Sequence, residues 1–205
     1  MKSLTALLVS TVAVSTVGAC TLPGAVVGTT AVVTRSVVQE RSTMQALTDV
    51  EIEVSILNRL GNHSGQLFRD VSVDVVEGRV LLTGTVPKAD DKVAATKASW
   101  AVPGVVEVSD ELVVKQDSGT QAYAEDVWIS NQVRFALLTD SEVRSVNYNV
   151  TTVDKVVHIT GLARSPKEMI EVLDRAAAVD GVKKVVSHIL TIDDPRRIEQ
   201  IANQK

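Results

Sequence analysis

An internal repeat constrains the fold of this chain more than any other feature. A shift of 77 residues aligns two stretches of the sequence without a gap. The matches fall at positions that carry structural patterns: Asp49-Val50 with Asp126-Val127; Ile52, Ile56 and Leu60 with Ile129, Val133 and Leu137; residues 80–84 with 157–161; and residues 101–105 with 178–182. A fixed period of this kind indicates a duplicated structural unit, so the fold predicted for one copy applies to both.

The first copy begins with a pattern that is typical of an amphipathic helix. Ile52, Ile56 and Leu60 recur at i, i+4 and i+8 and therefore share one helical face. Thr48 and Glu51 form a capping-box pattern, which predicts that the helix begins at Thr48.

The remainder of the copy predicts two strands, a second helix and a third strand. The first strand is expected from alternating apolar and polar side chains, and the turn signal Glu77-Gly78 separates it from the second. The expected elements are strands over residues 71–75, 80–86 and 105–114 and a helix over residues 88–102.

Each copy therefore has the order αββαβ. The first two strands form an antiparallel hairpin, and the second strand, second helix and third strand form a right-handed crossover. The predicted fold class is α+β, with two tandem units that each have a small three-stranded mixed sheet and two helices on one face. A unit this small is near the lower size limit for independent folding, which favours docking of the two copies.

Composition excludes one broad class of partner. The net charge is −4, which gives no electrostatic basis for binding nucleic acid. Aromatic residues make up only 3% of the chain, so the core is expected to be aliphatic.

The amino terminus has the features of a secretion signal. Lys2 precedes an apolar stretch, residues 4–14, that is too short to span a bilayer of about 30 Å. Residues 17–20 (VGAC) resemble the bacterial lipobox, which implies cleavage before Cys20 and attachment of lipid to its thiol. The alternative is an ordinary signal peptide followed by a buried cysteine. Thr21 stands where inner-membrane lipoproteins typically have aspartate, so the resemblance favours the outer membrane, on the side that faces the periplasm.

The duplicated unit resembles the BON domain. The resemblance rests on a glycine after the second strand of each copy (Gly84 and Gly161) and on a Gly-Val pair after each second helix. It extends to residues 25–33 behind the cysteine and to the segment 126–134. Two such units behind a lipobox resemble the dual-BON outer-membrane lipoproteins, which implies binding of anionic phospholipid, support of outer-membrane integrity and localisation at the division site.

These patterns divide the chain into six segments. They are a lipoprotein signal peptide (1–19), a tether (20–48), a first BON domain (49–114), a linker (115–122), a second BON domain (123–192) and a carboxy-terminal tail (193–205).

We expect no catalytic site, no cofactor and no metal site. The three histidines are His63 in a polar turn and His158 and His188 on strands, where they are interpreted as solvated sheet residues. A single lipidated cysteine leaves neither a thiol nucleophile nor a cysteine-rich metal site, and phosphate-binding and nucleophile-elbow motifs are lacking from the sequence. The chain is therefore predicted not to be an enzyme.

The two copies differ in the outer face of their first helix. In the second copy, Trp128, Phe135 and Leu138 fall opposite the core stripe, on the side that should face water. The corresponding residues of the first copy are Glu51, Asn58 and Gly61, and none of them has a large apolar side chain.

An exposed apolar patch marks an interaction site, and tryptophan is favoured at a membrane interface. The candidate phospholipid-binding residues are Trp128, Asn131, Arg134, Phe135 and Leu138. In the alternative arrangement, Trp128 and Phe135 fill a groove between the two domains. A second functional hypothesis is a protein-binding adaptor that uses the same patch to contact an envelope complex such as the outer-membrane assembly machinery.

Overall fold

A computed structural model describes residues 43–115 and 119–203. The first unit contains α1 (Thr43–His63), α2 (Gly65–Asp70), β1 (Val71–Val76), β2 (Arg79–Val86), α3 (Ala89–Trp100) and β3 (Glu107–Val114). The second contains α4 (Thr120–Thr139), a short 3₁₀ turn (Ser145–Asn147), β4 (Tyr148–Val153), β5 (Val156–Ala163), α5 (Pro166–Ala177) and β6 (Lys184–Thr191), and α6 (Pro195–Asn203) follows it. The expected signal peptide, Cys20 and residues 20–42 of the expected tether lie outside the described residues. Within residues 43–115 and 119–203, every helix is too short or too polar to cross a membrane.

Both units form the predicted mixed sheet. The strand orders are β1-β2-β3 and β4-β5-β6, with the first pair antiparallel and the second pair parallel in each sheet. Two helices pack on one face of each sheet, α1 and α3 in the first unit and α4 and α5 in the second. The predicted fold class, α+β with two tandem αββαβ units, is confirmed.

Each unit has its own aliphatic core. The helical stripe of α1 is fully buried against the inward face of the first sheet, and the stripe of α4 is buried in the same way. The stripes consist of Ile52, Ile56 and Leu60 in the first unit and of Ile129, Val133 and Leu137 in the second. Among the side chains that the structure describes, Tyr148 is the one aromatic residue in the two core clusters.

The repeated glycine in β2 and β5 permits a close approach of two backbones. A Cβ at Gly84 would collide with the carbonyl oxygen of Asp70, and Gly84 has a φ of +121° that L side chains rarely adopt. A Cβ at Gly161 would likewise collide with the carbonyl oxygen of Asn147. The glycine therefore lets the chain that enters the first strand lie against the second strand.

Several predicted boundaries need correction. The described part of α1 begins at Thr43, so residues 43–48 of the expected tether are helical. The Thr48 hydroxyl donates to the carbonyl oxygen of Met44 inside the helix, so the capping-box prediction at Thr48 is wrong. A threonine hydroxyl can bond the carbonyl four residues back within a helix, so the sequence pattern did not mark an end.

Two further differences concern the connections. His63 is the last residue of α1 rather than part of a polar turn, and α2 begins two residues later, at Gly65. Helix α4 begins at Thr120, within the expected linker 115–122. The tail contains α6, which begins at Pro195. At the start of α5, the Ser165 side chain caps the helix by accepting a hydrogen bond from the Glu168 N–H.

The two sheets dock through the faces that their helices leave uncovered. Strands β2 and β5 are buried on both faces as a result. Thr151 on β4 donates a hydrogen bond of 3.3 Å to Asp74 on β1. The docked face buries polar side chains, because Thr83 is buried in the first sheet and Thr160 in the second.

The last helix holds the docked units together. Arg197 donates two hydrogen bonds to the carboxylate of Glu77, at 2.8 and 3.0 Å. Gln200 donates to the carbonyl oxygen of the same residue at 2.8 Å. Glu77 lies in the hairpin turn of the first unit, so α6 reaches from the second unit to the first. A second contact links the end of the first unit to the second unit. Lys115, which follows β3, pairs with Asp154 in the hairpin turn of the second unit at 2.9 Å.

Candidate functional site

Helix α4 presents large apolar side chains to solvent. Trp128 is 52% exposed, Phe135 63% and Leu138 68%, whereas the opposite face of the helix is buried in the core. Tyr123 and Val127 are also exposed on the same helix. We refer to these five residues, Tyr123, Val127, Trp128, Phe135 and Leu138, as the α4 stripe. The alternative in which Trp128 and Phe135 fill an interdomain groove does not hold, because both side chains are more than half exposed.

The equivalent helix of the first unit carries a different surface. Glu51, Asn58 and Gly61 are exposed on α1 at the positions that correspond to Trp128, Phe135 and Leu138. The α4 stripe is therefore a property of one copy and not of the fold.

Polar side chains border the α4 stripe. Arg134 donates a hydrogen bond of 3.2 Å to the side-chain oxygen of Asn131 and another to the carbonyl oxygen of Val150 on β4. These bonds engage two of the five N–H donors of a guanidinium group. They hold the cation beside β4, and Asn131 and Arg134 both remain exposed. The structure therefore places the five candidate phospholipid-binding residues on one exposed surface of α4: Trp128, Asn131, Arg134, Phe135 and Leu138.

A groove begins where the α4 stripe ends. It has a volume of about 540 Å³ and lies between the end of α4, the 3₁₀ turn, β4 and the edge strand β1 of the first unit. Arg134 and Leu138 both line it, together with Asp74 and Asn149. The apolar surface and the positive charge of Arg134 thus meet at the mouth of this groove.

The strand histidines lie in the docked interface. His158 is only 4% exposed, so the expectation of a solvated side chain is wrong for this residue, and His188 is partly buried. Their rings stack with centroids 6.3 Å apart and planes inclined by 21°. Burial lowers the pKa of His158, while the nearby carboxylate of Glu111 opposes that shift. Because burial prevails, the neutral imidazole is favoured at this position.

Docking of the two copies was expected from their small size, but the face that docks was not identified, although β5 contained a signal for it. The strand is nearly continuous in apolar residues apart from His158 and Thr160. Such a run is typical of a strand buried on both faces.

An aspartate in each first helix has a structural function that sequence analysis also missed. Asp49 accepts hydrogen bonds from the backbone N–H groups of Glu77 and Gly78, both at 2.9 Å. Asp126 accepts from Asp154 and Lys155, both at 2.8 Å. The repeated aspartate therefore fastens the hairpin turn to the first helix, and these turns contain the positive-φ residues that most need support.

Comparison with known proteins identifies the family. The model of the BON domain matches residues 48–116 and residues 125–192. Together these matches cover more than half of the chain, and each spans one of the two αββαβ units. The chain belongs to the BON-domain family and contains two tandem BON domains.

Named relatives come from several bacteria. An uncharacterized protein in the gshII 5′ region of Anaplasma centrale is 37% identical over 142 residues, which is 69% of this chain and 93% of that protein. Outer membrane lipoprotein DolP of Haemophilus influenzae is 29% identical over 171 residues, 82% of this chain and 88% of its own. Osmotically-inducible protein Y of Escherichia coli is 31% identical over 145 residues, 70% of this chain and 72% of its own.

Solved structures match only weakly. Among them is CdsD, described as a structural protein of the type III secretion system of Chlamydia trachomatis, with a TM-score of 0.31 and 11% sequence identity over 73% of this chain and 98% of that one. The family assignment rests on the sequence matches alone.

Proposed function

We propose that this protein is a non-enzymatic lipoprotein of the bacterial outer membrane, anchored through Cys20 and facing the periplasm, that binds anionic phospholipid through its second BON domain. The exposed α4 stripe is the single observation that carries this proposal. In this role the protein supports outer-membrane integrity, including at the division site. The relation to a protein named outer membrane lipoprotein DolP supports the same compartment.

The α4 stripe has the chemistry of a membrane contact. Trp128 carries a large apolar ring with a polar N–H, a combination that is favoured at the boundary between lipid and water. Burying a side chain of the size of Phe135 or Leu138 contributes roughly 1.5–3 kcal/mol. Two or three such side chains, already more than half exposed in the free protein, supply a useful affinity without unfolding any part of the domain.

Charge next to the stripe gives the contact its lipid preference. Arg134 has N–H donors beyond the two that bind Asn131 and Val150. These donors face a lipid phosphate when α4 lies along the membrane surface. Anionic headgroups are then attracted to the cation, and the attraction weakens as salt screens it.

A lipid anchor makes a weak contact sufficient. Attachment of the chain through acyl groups at Cys20 keeps the domain near the bilayer, so the binding of α4 becomes an intramolecular event with a high effective concentration.

Tryptophan fluorescence tests the proposal directly. The chain has two tryptophans, and Trp100 on α3 is as exposed as Trp128, at 53%. In a Trp100→Phe variant of residues 21–205, Trp128 is the only reporter, and we expect its emission to shift to the blue on addition of phosphatidylglycerol vesicles. In the matched Trp128→Phe variant, Trp100 reports from the other domain and its emission should stay unchanged. An unshifted Trp128 emission at saturating lipid contradicts the proposal.

The same exposed surface also supports a second candidate function, an adaptor that binds a protein of the envelope assembly machinery. Phosphatidylglycerol vesicles distinguish the two. Salt-sensitive binding of purified protein to vesicles supports the lipid function, whereas no binding to lipid together with retention of the envelope complex by the wild type but not by Trp128→Glu supports the adaptor.

A further inference from the structure

Three side chains with metal-binding atoms converge in the docked interface. Glu111 comes from β3 of the first domain, and His158 and His188 come from β5 and β6 of the second. Each offers one ligand atom, and these atoms all lie within 4.8 Å of one another. The backbone explains the convergence of the histidines: His188 is paired with Thr160, two residues beyond His158, so both rings leave the same face of the sheet.

Two ring nitrogens of this cluster lack a hydrogen-bond partner although they are buried. They are Nδ1 of His158 and Nε2 of His188. The latter lies 3.3 Å from Oε1 of Glu111, within ion-pair distance but without the geometry of a hydrogen bond. Buried polar atoms are nearly always satisfied in folded proteins, so two unsatisfied imidazole nitrogens in a cluster with the Glu111 carboxylate indicate that a ligand normally lies between the three side chains.

We propose that Glu111, His158 and His188 bind one divalent transition-metal ion, with zinc as the best match. Two imidazole nitrogens and one carboxylate oxygen form a common zinc ligand set, and a water molecule typically completes the coordination. Calcium and magnesium prefer oxygen ligands only, which excludes them from a set with two imidazoles. Of the three ligands, His188 also lines a cavity of about 100 Å³, which is large enough to hold a water molecule next to this residue.

Coordination requires a small contraction of the cluster. Zinc holds nitrogen and oxygen ligands at about 2.0–2.2 Å, so the three ligand atoms move closer together by about 1 Å when the ion binds. Rotation of the three side chains achieves this, because Glu111 and His188 are only partly buried.

The ligands belong to different domains, so the ion connects them. Glu111 is in the first BON domain and both histidines are in the second. Zinc therefore stabilises the docked pair specifically, since it binds the docked state and not the separated domains. This inference does not depend on the membrane function, because the cluster lies away from the α4 stripe.

Zinc titration of the purified full-length chain tests the proposal. Cys20 is replaced by serine in every sample so that its thiol binds no metal. We expect one zinc per chain by calorimetry, an increased melting temperature with zinc, and visible d–d absorption of four-coordinate cobalt when Co²⁺ is added instead. A chain that binds no zinc at micromolar concentration, or that gains no thermal stability from it, contradicts the proposal.

Variants of His188 and Glu111 test whether these residues are zinc ligands. We expect His188→Gln and Glu111→Gln each to weaken zinc binding about 100-fold or more, since each removes one of three ligands and a change in a supporting contact alone costs about 10–100-fold. His63→Gln is the matched control, because His63 is the remaining histidine and is exposed at the end of α1. Circular dichroism verifies that each variant is folded. Unchanged zinc affinity in both ligand variants, or loss of binding in His63→Gln, overturns the assignment.

Discussion

Glu111 and His188 occupy the same position in the two BON domains and contact each other across the interface, with 3.3 Å between Oε1 and Nε2. Asp74 and Thr151 form a second pair of equivalent positions in contact, 77 residues apart. Because each residue meets its own counterpart, the domains are related by an approximate two-fold axis, as subunits are in a symmetric dimer. Duplication has thus placed a dimer-like interface inside one chain.

The link between α6 and the first domain makes a prediction about this interface. Arg197→Ala removes the two hydrogen bonds to the buried carboxylate of Glu77, so the negative charge of Glu77 loses both guanidinium donors. We expect a loss of about 1–3 kcal/mol in the free energy of unfolding, measured by urea denaturation. Arg196→Ala is the neighbouring control, because the exposed side chain of Arg196 pairs with the partly buried Asp194, and its removal should change stability little. Equal effects of the two variants contradict the proposed link.

The repeated aspartate predicts a matched pair of variants. Asp49→Ala and Asp126→Ala each leave two backbone N–H groups of a hairpin turn without their acceptor. We expect each to destabilise the protein by about 1–3 kcal/mol. The effect should be larger for Asp49, which is buried, than for Asp126, which is partly exposed. Denaturant unfolding measures both, and wild-type stability in either variant speaks against this function of the aspartate.

Gly84 offers a test of the close backbone approach in β2. Gly84→Ala introduces a Cβ that collides with the Asp70 carbonyl oxygen at a φ of +121°. We expect a loss of about 3 kcal/mol or more, visible as a lower melting temperature. In the control, Gly65→Ala, the added Cβ has no atom within 4 Å, so stability should be unchanged or slightly higher. A Gly84→Ala protein as stable as the control refutes the packing account.

Glu168 predicts a specific loss of stability in acid. Burial raises the pKa of its carboxyl group, but hydrogen bonds from the Arg164 side chain and from the N–H groups of Arg144 and Arg164 outweigh burial, so the net shift is downward. A lowered pKa in the folded state contributes stability that is complete above about pH 4.5 and is lost as the pH falls through the lower folded value.

The comparison is between the wild type and Glu168→Gln. We expect the variant to be less stable near neutral pH and the difference in unfolding free energy to shrink as the pH drops below about 4.5. Other acidic groups titrate equally in both proteins and cancel. A difference that stays constant with pH shows that the charge of Glu168 is not the source of the stability.

Sequence analysis identified the elements of this fold because their signals are local. The stripe Ile52, Ile56 and Leu60 and the alternation along β1 follow directly from helical and strand periodicity. The exposed apolar face of α4 was visible for the same reason, since a helical wheel requires only the sequence of one helix.

The residues of the docked interface could not be identified in this way, although docking itself was expected. The interface buries Thr83, His158 and Thr160, and polar side chains on an open sheet face have the same pattern whether water or another domain covers them. The proposed zinc ligands could not be identified from the sequence either. Glu111 and His158 are 47 positions apart, and they meet only after the domains dock.

The most direct test of the membrane function compares two charge-introducing variants of equal exposure. Trp128→Glu places a carboxylate in the α4 stripe, and Trp100→Glu places one at a tryptophan of equal exposure in the other domain. Cosedimentation with phosphatidylglycerol vesicles should show loss of binding by about tenfold or more for Trp128→Glu, because removal of one buried aromatic contact costs at least about 1.4 kcal/mol, and nearly wild-type binding for Trp100→Glu. Equal vesicle binding by the wild type and Trp128→Glu would contradict the assignment of α4 as the lipid-binding element.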